Sequence, residues 1–150
     1  MEEMLRILVK DLVDYPEKLS AIVFTQGCNF TCPYCHNPEL NSFEDRNIHI
    51  KEQYIIDFLK TRIGKIDAVV ISGGEPTCQN DLIDFIKRIK CLGFLIKLDT
   101  NGSNPEIIEQ FLTEKLIDYI AMDIKTSPEK YFRFSKDLLD FNKIKKSITI

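Results

Sequence analysis

Ala68-Val69-Val70-Ile71-Ser72-Gly73-Gly74-Glu75-Pro76 is the stretch that decides the fold of this chain. Ala68, Val69, Val70 and Ile71 run without a polar break, the pattern of a strand covered on both faces, and such strands belong to parallel sheets. The Gly-Gly and Pro that follow end the strand abruptly. A parallel strand needs a crossover back to its neighbour, so helical patterns are expected on either side of it along the chain.

Working outward, strand and helix patterns do alternate. Upstream, Ser20-Ala21-Ile22-Val23-Phe24-Thr25 predicts a strand, preceded by a short apolar segment, Leu5 to Val9, that leads through Asp14-Tyr15-Pro16. Helix-period residues begin near Ile50, with Ile55, Phe58, Leu59 and Ile63 on one face, and end near Gly64. Downstream, Asn80 is expected to cap a helix that turns Leu82, Ile83, Ile86 and Ile89 inward and stops at Gly93. Phe94 to Leu98 predicts a strand. Pro105 then opens a helix at its first position, with Ile107, Ile108, Phe111 and Leu112 toward the sheet. Tyr119 to Met122 predicts a last strand, followed by a weaker helical pattern to Ile148. The reading is an α/β fold of parallel βα repeats with right-handed crossovers, in one domain over residues 1–150.

Composition narrows the function. A chain of 150 residues with 44% hydrophobic content can bury a real core. Its net charge of -3 and pI near 5.4 argue against a nucleic-acid partner, which calls for a basic face. Met1-Glu2-Glu3-Met4 has no long apolar run behind it, so neither a secretory signal nor a membrane span is expected. Five cysteines, an odd number, point to a reducing cytoplasm rather than a disulfide framework. Cys78 and Cys91 are expected as small buried or half-buried hydrophobes.

The polar motifs all follow predicted strands. Gly27-Cys28-Asn29-Phe30-Thr31-Cys32-Pro33-Tyr34-Cys35-His36-Asn37-Pro38 follows the first, and Ser72-Gly73-Gly74-Glu75-Pro76 the second. Asp99-Thr100-Asn101-Gly102 follows the third and Asp123-Ile124-Lys125 the fourth. In parallel α/β folds this carboxyl edge is where sites are built. Any one motif alone is ordinary turn chemistry or a solvated charge pair; together they converge on one volume. Cys28, Cys32 and Cys35 could hold three irons of a cubane cluster and leave the fourth open to a ligand. With His36 they could instead form a Cys3His zinc site, although adjacent Cys35 and His36 reach two corners of one tetrahedron poorly.

The chain resembles the radical S-adenosylmethionine (radical SAM) enzymes, through the C-x3-C-x2-C spacing of its cysteines. Within them it is most similar to the glycyl-radical-enzyme activases of the anaerobic ribonucleoside-triphosphate reductase type. The resemblance is carried by Asp14-Tyr15-Pro16, GCNFTCPYCHNPEL (27–40), ISGGEP (71–76), KLDTNG (97–102) and AMDIK (121–125). It implies a partial TIM-like barrel, here about four of the family's six βα units. It also implies a [4Fe-4S] cluster on Cys28, Cys32 and Cys35, with S-adenosylmethionine chelating the open iron. Tyr34 would lie near the adenine, and Gly73, Gly74 and Glu75 would face the methionine ammonium, where a glycine lets the backbone approach. Asp123 and Lys125 match a pair that contacts the cofactor, Lys125 suiting the methionine carboxylate. Asp99, with Thr100 and Asp123, matches a site for a monovalent cation, while Asn101-Gly102 shapes the turn.

The activity so implied is reductive cleavage of S-adenosylmethionine to a 5'-deoxyadenosyl radical, with flavodoxin or ferredoxin as electron donor. That radical would take a hydrogen from a glycine of the protein substrate, anaerobic ribonucleotide reductase. No acid–base pair is required, and His36 and His49 are read as structural or surface residues. The absence of further cysteines between Cys35 and Gly73 disfavours activases with added ferredoxin-like clusters. Two alternatives stand beside this reading: a small-molecule enzyme such as 7-carboxy-7-deazaguanine synthase, and a non-catalytic metal-binding scaffold. The family continues into two more βα units, so the domain is expected to be truncated after Ser147-Ile148-Thr149-Ile150, leaving an unpaired strand edge.

Overall fold

The computed structural model describes residues 3–9, 14–43, 50–136 and 140–150; His49 lies outside them. Its strands are β1 (Glu3–Val9), β2 (Ser20–Thr25), β3 (Ile50–Lys51), β4 (Ala68–Gly73), β5 (Leu95–Thr100) and β6 (Tyr119–Met122). Its α-helices are α1 (Glu52–Lys60), α2 (Leu82–Cys91), α3 (Pro105–Thr113) and α4 (Phe141–Thr149). The strands form one sheet in the order β3-β1-β2-β4-β5-β6. As expected, β2, β4, β5 and β6 are parallel. The N-terminal segment differs: β1 runs antiparallel to β2 and extends the sheet away from the parallel part.

Register explains the two-faced burial. Ala21 pairs with Val69 and Val23 with Ile71, while Val69 pairs with Ile96 and Ile71 with Leu98. These side chains share one face and pack with Ile55 and Leu59 of α1, Phe85, Ile86 and Ile89 of α2, and Phe111 of α3. On the opposite face Ile22 and Val70 pack with Tyr15 and Phe24. That face turns polar along β5, where Lys97 and Asp99 alternate with the buried Ile96, Leu98 and Thr100. The alternation brings charge to a face that in β4 is apolar, and it leads to the site.

Helix ends follow local chemistry with small departures. Asp81, not Asn80, precedes α2, and Gly93, at φ +90°, lies just beyond it. Pro105 opens α3, but the Asn104 amide reaches Thr77 Oγ1 at 2.9 Å instead of capping the helix. Ile63 and Leu112, expected inward, are exposed. Asp140 caps α4 by accepting from Asn142 N at 2.9 Å. Lys146 of α4 pairs with Glu109 of α3 at 3.1 Å, and Ser147 Oγ donates to the Gly102 carbonyl at 2.7 Å. The fourth helix thereby braces the loop after β5.

Ile71 is fully buried in β4, between β2 and β5. Ile71→Ala is expected to cost about 3 kcal/mol, the usual range for emptying a well-packed aliphatic site. A fall in the urea midpoint at unchanged slope would register it.

Candidate functional site

A cavity of about 380 Å³ opens at the carboxyl ends of the parallel strands. Cys28, Cys32, Tyr34 and Cys35 line it from the loop after β2, and Gly73, Gly74 and Glu75 from the end of β4. Asp99 and Thr100 reach it from β5, and Asp123 and Lys125 from beyond β6. Every residue expected from the sequence to take part in the site meets in this one volume. Cys78 and Cys91 do not line it; Cys91, expected buried or half-buried, is exposed at the end of α2.

The cysteine loop is anchored rather than draped. Gly27 N donates to the Leu40 carbonyl at 2.7 Å, and Gln26 Nε2 bonds the carbonyls of Glu39 and Ser42 at 2.9 and 2.7 Å. The segment before α4 clamps it from the other side, with Thr31 N to Phe134 O at 2.6 Å and Lys136 N to Asn29 O at 3.0 Å. Phe30 and Tyr131 pack edge to face beneath, with ring centres 6.2 Å apart. Cys28 is buried, while Cys32 and Cys35 are half-buried. Burial pushes the Cys28 thiol up to about 12, against a hydrogen bond from Phe30 N and with the Glu75 charge adding to the rise. Burial also raises Cys32, opposed by the Lys125 charge. Such thiols hold their protons until a metal displaces them.

Gly73 and Gly74 have a reason beyond ligand approach. A Cβ on Gly73, at φ +118°, would stand 2.3 Å from Thr25 N, and one on Gly74 2.1 Å from the Gly27 carbonyl oxygen. Only glycine lets β4 end so close to the strand that feeds the cysteine loop. Glu75 is almost wholly buried, and its carboxylate is fully engaged inside the protein. Oε1 accepts from Thr77 N at 3.1 Å, Thr77 Oγ1 at 2.5 Å and Thr100 Oγ1 at 2.6 Å. Oε2 accepts from Asn101 N at 2.7 Å. Burial raises its pKa against the pull of those bonds. The resemblance has Glu75 face the methionine ammonium; these bonds match a role in fixing the loop.

Lys125 is placed from several directions. Its ammonium lies 2.6 Å from Asp123 Oδ2. Burial pulls its pKa down, but the Asp123 bond and charge outweigh this and hold it above the ordinary lysine value. Its N–H donates to the Tyr131 hydroxyl at 3.0 Å, and its carbonyl accepts from Tyr34 Oη. Tyr131 carried no signal in the sequence, because it lies in a short segment with no α-helical or strand period. Asn29 was also missed: it accepts from Asn101 Nδ2 at 2.9 Å and donates to Ser103 Oγ at 2.8 Å, tying the cysteine loop to the loop after β5.

The residues expected around a monovalent cation each have an internal partner. Lys97 Nζ lies 3.0 Å from Asp99 Oδ1, at ion-pair distance but off the hydrogen-bonding direction. The Thr100 hydroxyl serves Glu75, and Asp123 serves Lys125.

A family model described as the Radical SAM superfamily matches residues 22–149. The chain belongs to the radical SAM superfamily. It is 46% identical over 138 residues to a Methanocaldococcus jannaschii protein assigned as a glycyl-radical enzyme activating enzyme, covering 91% of this chain and 55% of that one. It is 32% identical over 124 residues to the pyruvate formate-lyase-activating enzyme of Listeria monocytogenes, covering 76% of this chain and 50% of that enzyme. This radical SAM chain thus spans about half the length of these curated relatives. Among solved structures, anSMEcpe with bound AdoMet aligns with a TM-score of 0.61 at 21% identity, over 83% of this chain and 37% of that one. QueE from Escherichia coli aligns at 0.53 and 17% identity, over 68% and 53%. At those identities both speak to the fold alone.

The donor set fits the iron–sulfur group better than the zinc alternative. Three soft thiols face one cavity, and His36, which also lines it, is an exposed residue adjacent to Cys35. Among the described residues, no three His, Cys, Asp or Glu side chains converge on a single ion position. No described helix is long and apolar enough to cross a membrane.

Proposed function

We propose that this chain acts in a glycyl-radical-enzyme activase whose protein substrate is an anaerobic ribonucleotide reductase, in a reducing cytoplasm. One observation carries the reading: a single cavity is walled by Cys28, Cys32 and Cys35 on one side and by Gly73, Gly74, Asp99, Asp123 and Lys125 on the others. Cys28, Cys32 and Cys35 would hold a [4Fe-4S] cluster with one iron open to S-adenosylmethionine. When bound, this pair supplies reductive cleavage of the sulfonium to methionine and a 5'-deoxyadenosyl radical, on an electron from flavodoxin or ferredoxin.

The chain's own residues bind and orient. Lys125, fixed by Asp123 and the two tyrosines, presents a positive charge for the methionine carboxylate. The wall at Gly73 and Gly74 is bare of side chains, which suits close approach of the methionine ammonium. Tyr34 is 52% exposed, with the Phe134 ring centre 5.7 Å from its own, and its exposed side is open to stack on an adenine. Glu75 acts at one remove, by locking the loops after β4 and β5 together. Nothing here needs a general acid or base; positioning and exclusion of water are the protein's share.

The test mixes the reduced, iron-reconstituted protein with S-adenosylmethionine and the reductase without oxygen. A glycyl-radical doublet in the EPR spectrum of the reductase, with 5'-deoxyadenosine formed in step, is expected. 5'-Deoxyadenosine formed only with a pterin-like small molecule would transfer the assignment to a deazaguanine-synthase type. No cofactor cleavage under any condition would leave a metal-binding scaffold.

A further inference from the structure

On the polar face of β5, Lys97 and Asp99 stand two residues apart, the spacing that puts side chains on one side of a strand. The Lys97 side chain is only 12% exposed, and its ammonium sits 3.0 Å from the buried Asp99 Oδ1, an ion-pair contact without a hydrogen bond. The same ammonium donates to the Asp14 carbonyl at 2.5 Å and lies 6.0 Å from the Tyr119 ring centre. It is therefore held from three sides: the segment before β2, β5 itself and β6. Asp99 meanwhile lines the cavity. Thr100 belongs to the opposite face of β5, buried against Glu75, so its hydroxyl does not join Asp99 around a common ion. One oxygen of the Asp123 carboxylate, Oδ2, pairs with the Lys125 ammonium at 2.6 Å. A potassium or sodium ion at Asp99 would have to sit against an ammonium already in place.

We propose that Lys97 is a fixed counter-ion for Asp99, built into β5 in place of a bound monovalent metal cation. Lys97 is a positioning residue: it orients Asp99 at the cavity wall, and ligand binding there does not depend on potassium or sodium. The inference rests on the S-adenosylmethionine reading of the cavity for its functional meaning, but not for its structural core.

Two measurements on the iron-reconstituted protein separate these. The first titrates S-adenosylmethionine by calorimetry in potassium, sodium or N-methylglucamine salts at equal ionic strength. Wild-type affinity is expected to be the same in all three. Lys97→Met should bind more weakly in N-methylglucamine and regain affinity in potassium, by on the order of tenfold, the usual scale of such coupling. Lys97→Arg should keep the cation independence of the wild type. The second measurement follows thallium(I), a potassium mimic, by NMR without S-adenosylmethionine. No site is expected in the wild type, and one is expected in Lys97→Met. Thallium binding to the wild type that is lost in Asp99→Asn would overturn the proposal, as would a wild-type affinity that rises about tenfold with potassium. Both wild-type results stand even if Lys97→Met fails to fold. If S-adenosylmethionine binds in none of the salts, the cofactor reading fails, and the thallium result still decides the role of Lys97.

Discussion

Replacing any one of Cys28, Cys32 or Cys35 by Ala is expected to abolish iron and sulfide uptake on anaerobic reconstitution. Each thiol occupies its own part of the cavity wall, and among the described residues no other Cys, nor a buried His, stands ready to substitute. A cubane cluster held by two thiolates lacks the ligands that fix it. Cys78→Ala and Cys91→Ala should leave uptake intact, because Cys91 is exposed on α2 and Cys78, which does not line the cavity, is engaged by the Asn104 amide. Iron and sulfide analysis with Mössbauer spectroscopy reads all five variants. Full iron content in a Cys32→Ala protein would require a different ligand set.

The second large effect concerns Gly74. From the sequence alone, Gly74→Val would block the ligand's approach and leave the iron in place. The structure leads to a different expectation. The first atom of any side chain at this position meets the Gly27 carbonyl oxygen at 2.1 Å and the Leu40 carbonyl oxygen at 2.9 Å. Both are backbone atoms of the cysteine loop and its anchor, and Gly27 adjoins Cys28. Backbone cannot step aside as a flexible side chain can, so overpacking here should cost about 3 kcal/mol or more. Gly74→Ala is therefore expected to lower the urea midpoint and to lose iron as well. A Gly74→Ala protein of normal stability and iron content, with only its response to S-adenosylmethionine weakened, would mean that the glycine serves the ligand alone.

Much of this architecture was legible in residues 68–76 and their neighbours. A continuous apolar run followed by a Gly-Gly turn can satisfy its backbone and its side chains only inside a covered parallel sheet, and motifs at successive strand ends then have one place to meet. The direction of β1 was not legible. Leu5 to Val9 would look the same in either orientation, and only the register against β2 shows it to be antiparallel. The roles of Glu75 and Lys97 were hidden for a related reason. A sequence records that a carboxylate follows Gly-Gly, but not that four donors surround it, two from Thr77 in its own turn and two from Thr100 and Asn101 at the end of β5. Lys97 reads as one more alternating charge until Asp14 and Tyr119 are brought against it. Tyr131 sits in an irregular segment with no period to single it out, yet it fixes both the cysteine loop and Lys125.

The central claim is that this cavity holds an iron–sulfur cluster on three cysteines with an open position for S-adenosylmethionine. It is tested most directly by the EPR spectrum of the reduced, reconstituted protein before and after the cofactor is added. The account predicts a reduced [4Fe-4S] signal whose shape changes on addition, and a change that is lost in Lys125→Ala while the signal itself remains. Stoichiometric zinc without iron, or an iron signal indifferent to S-adenosylmethionine, would contradict it.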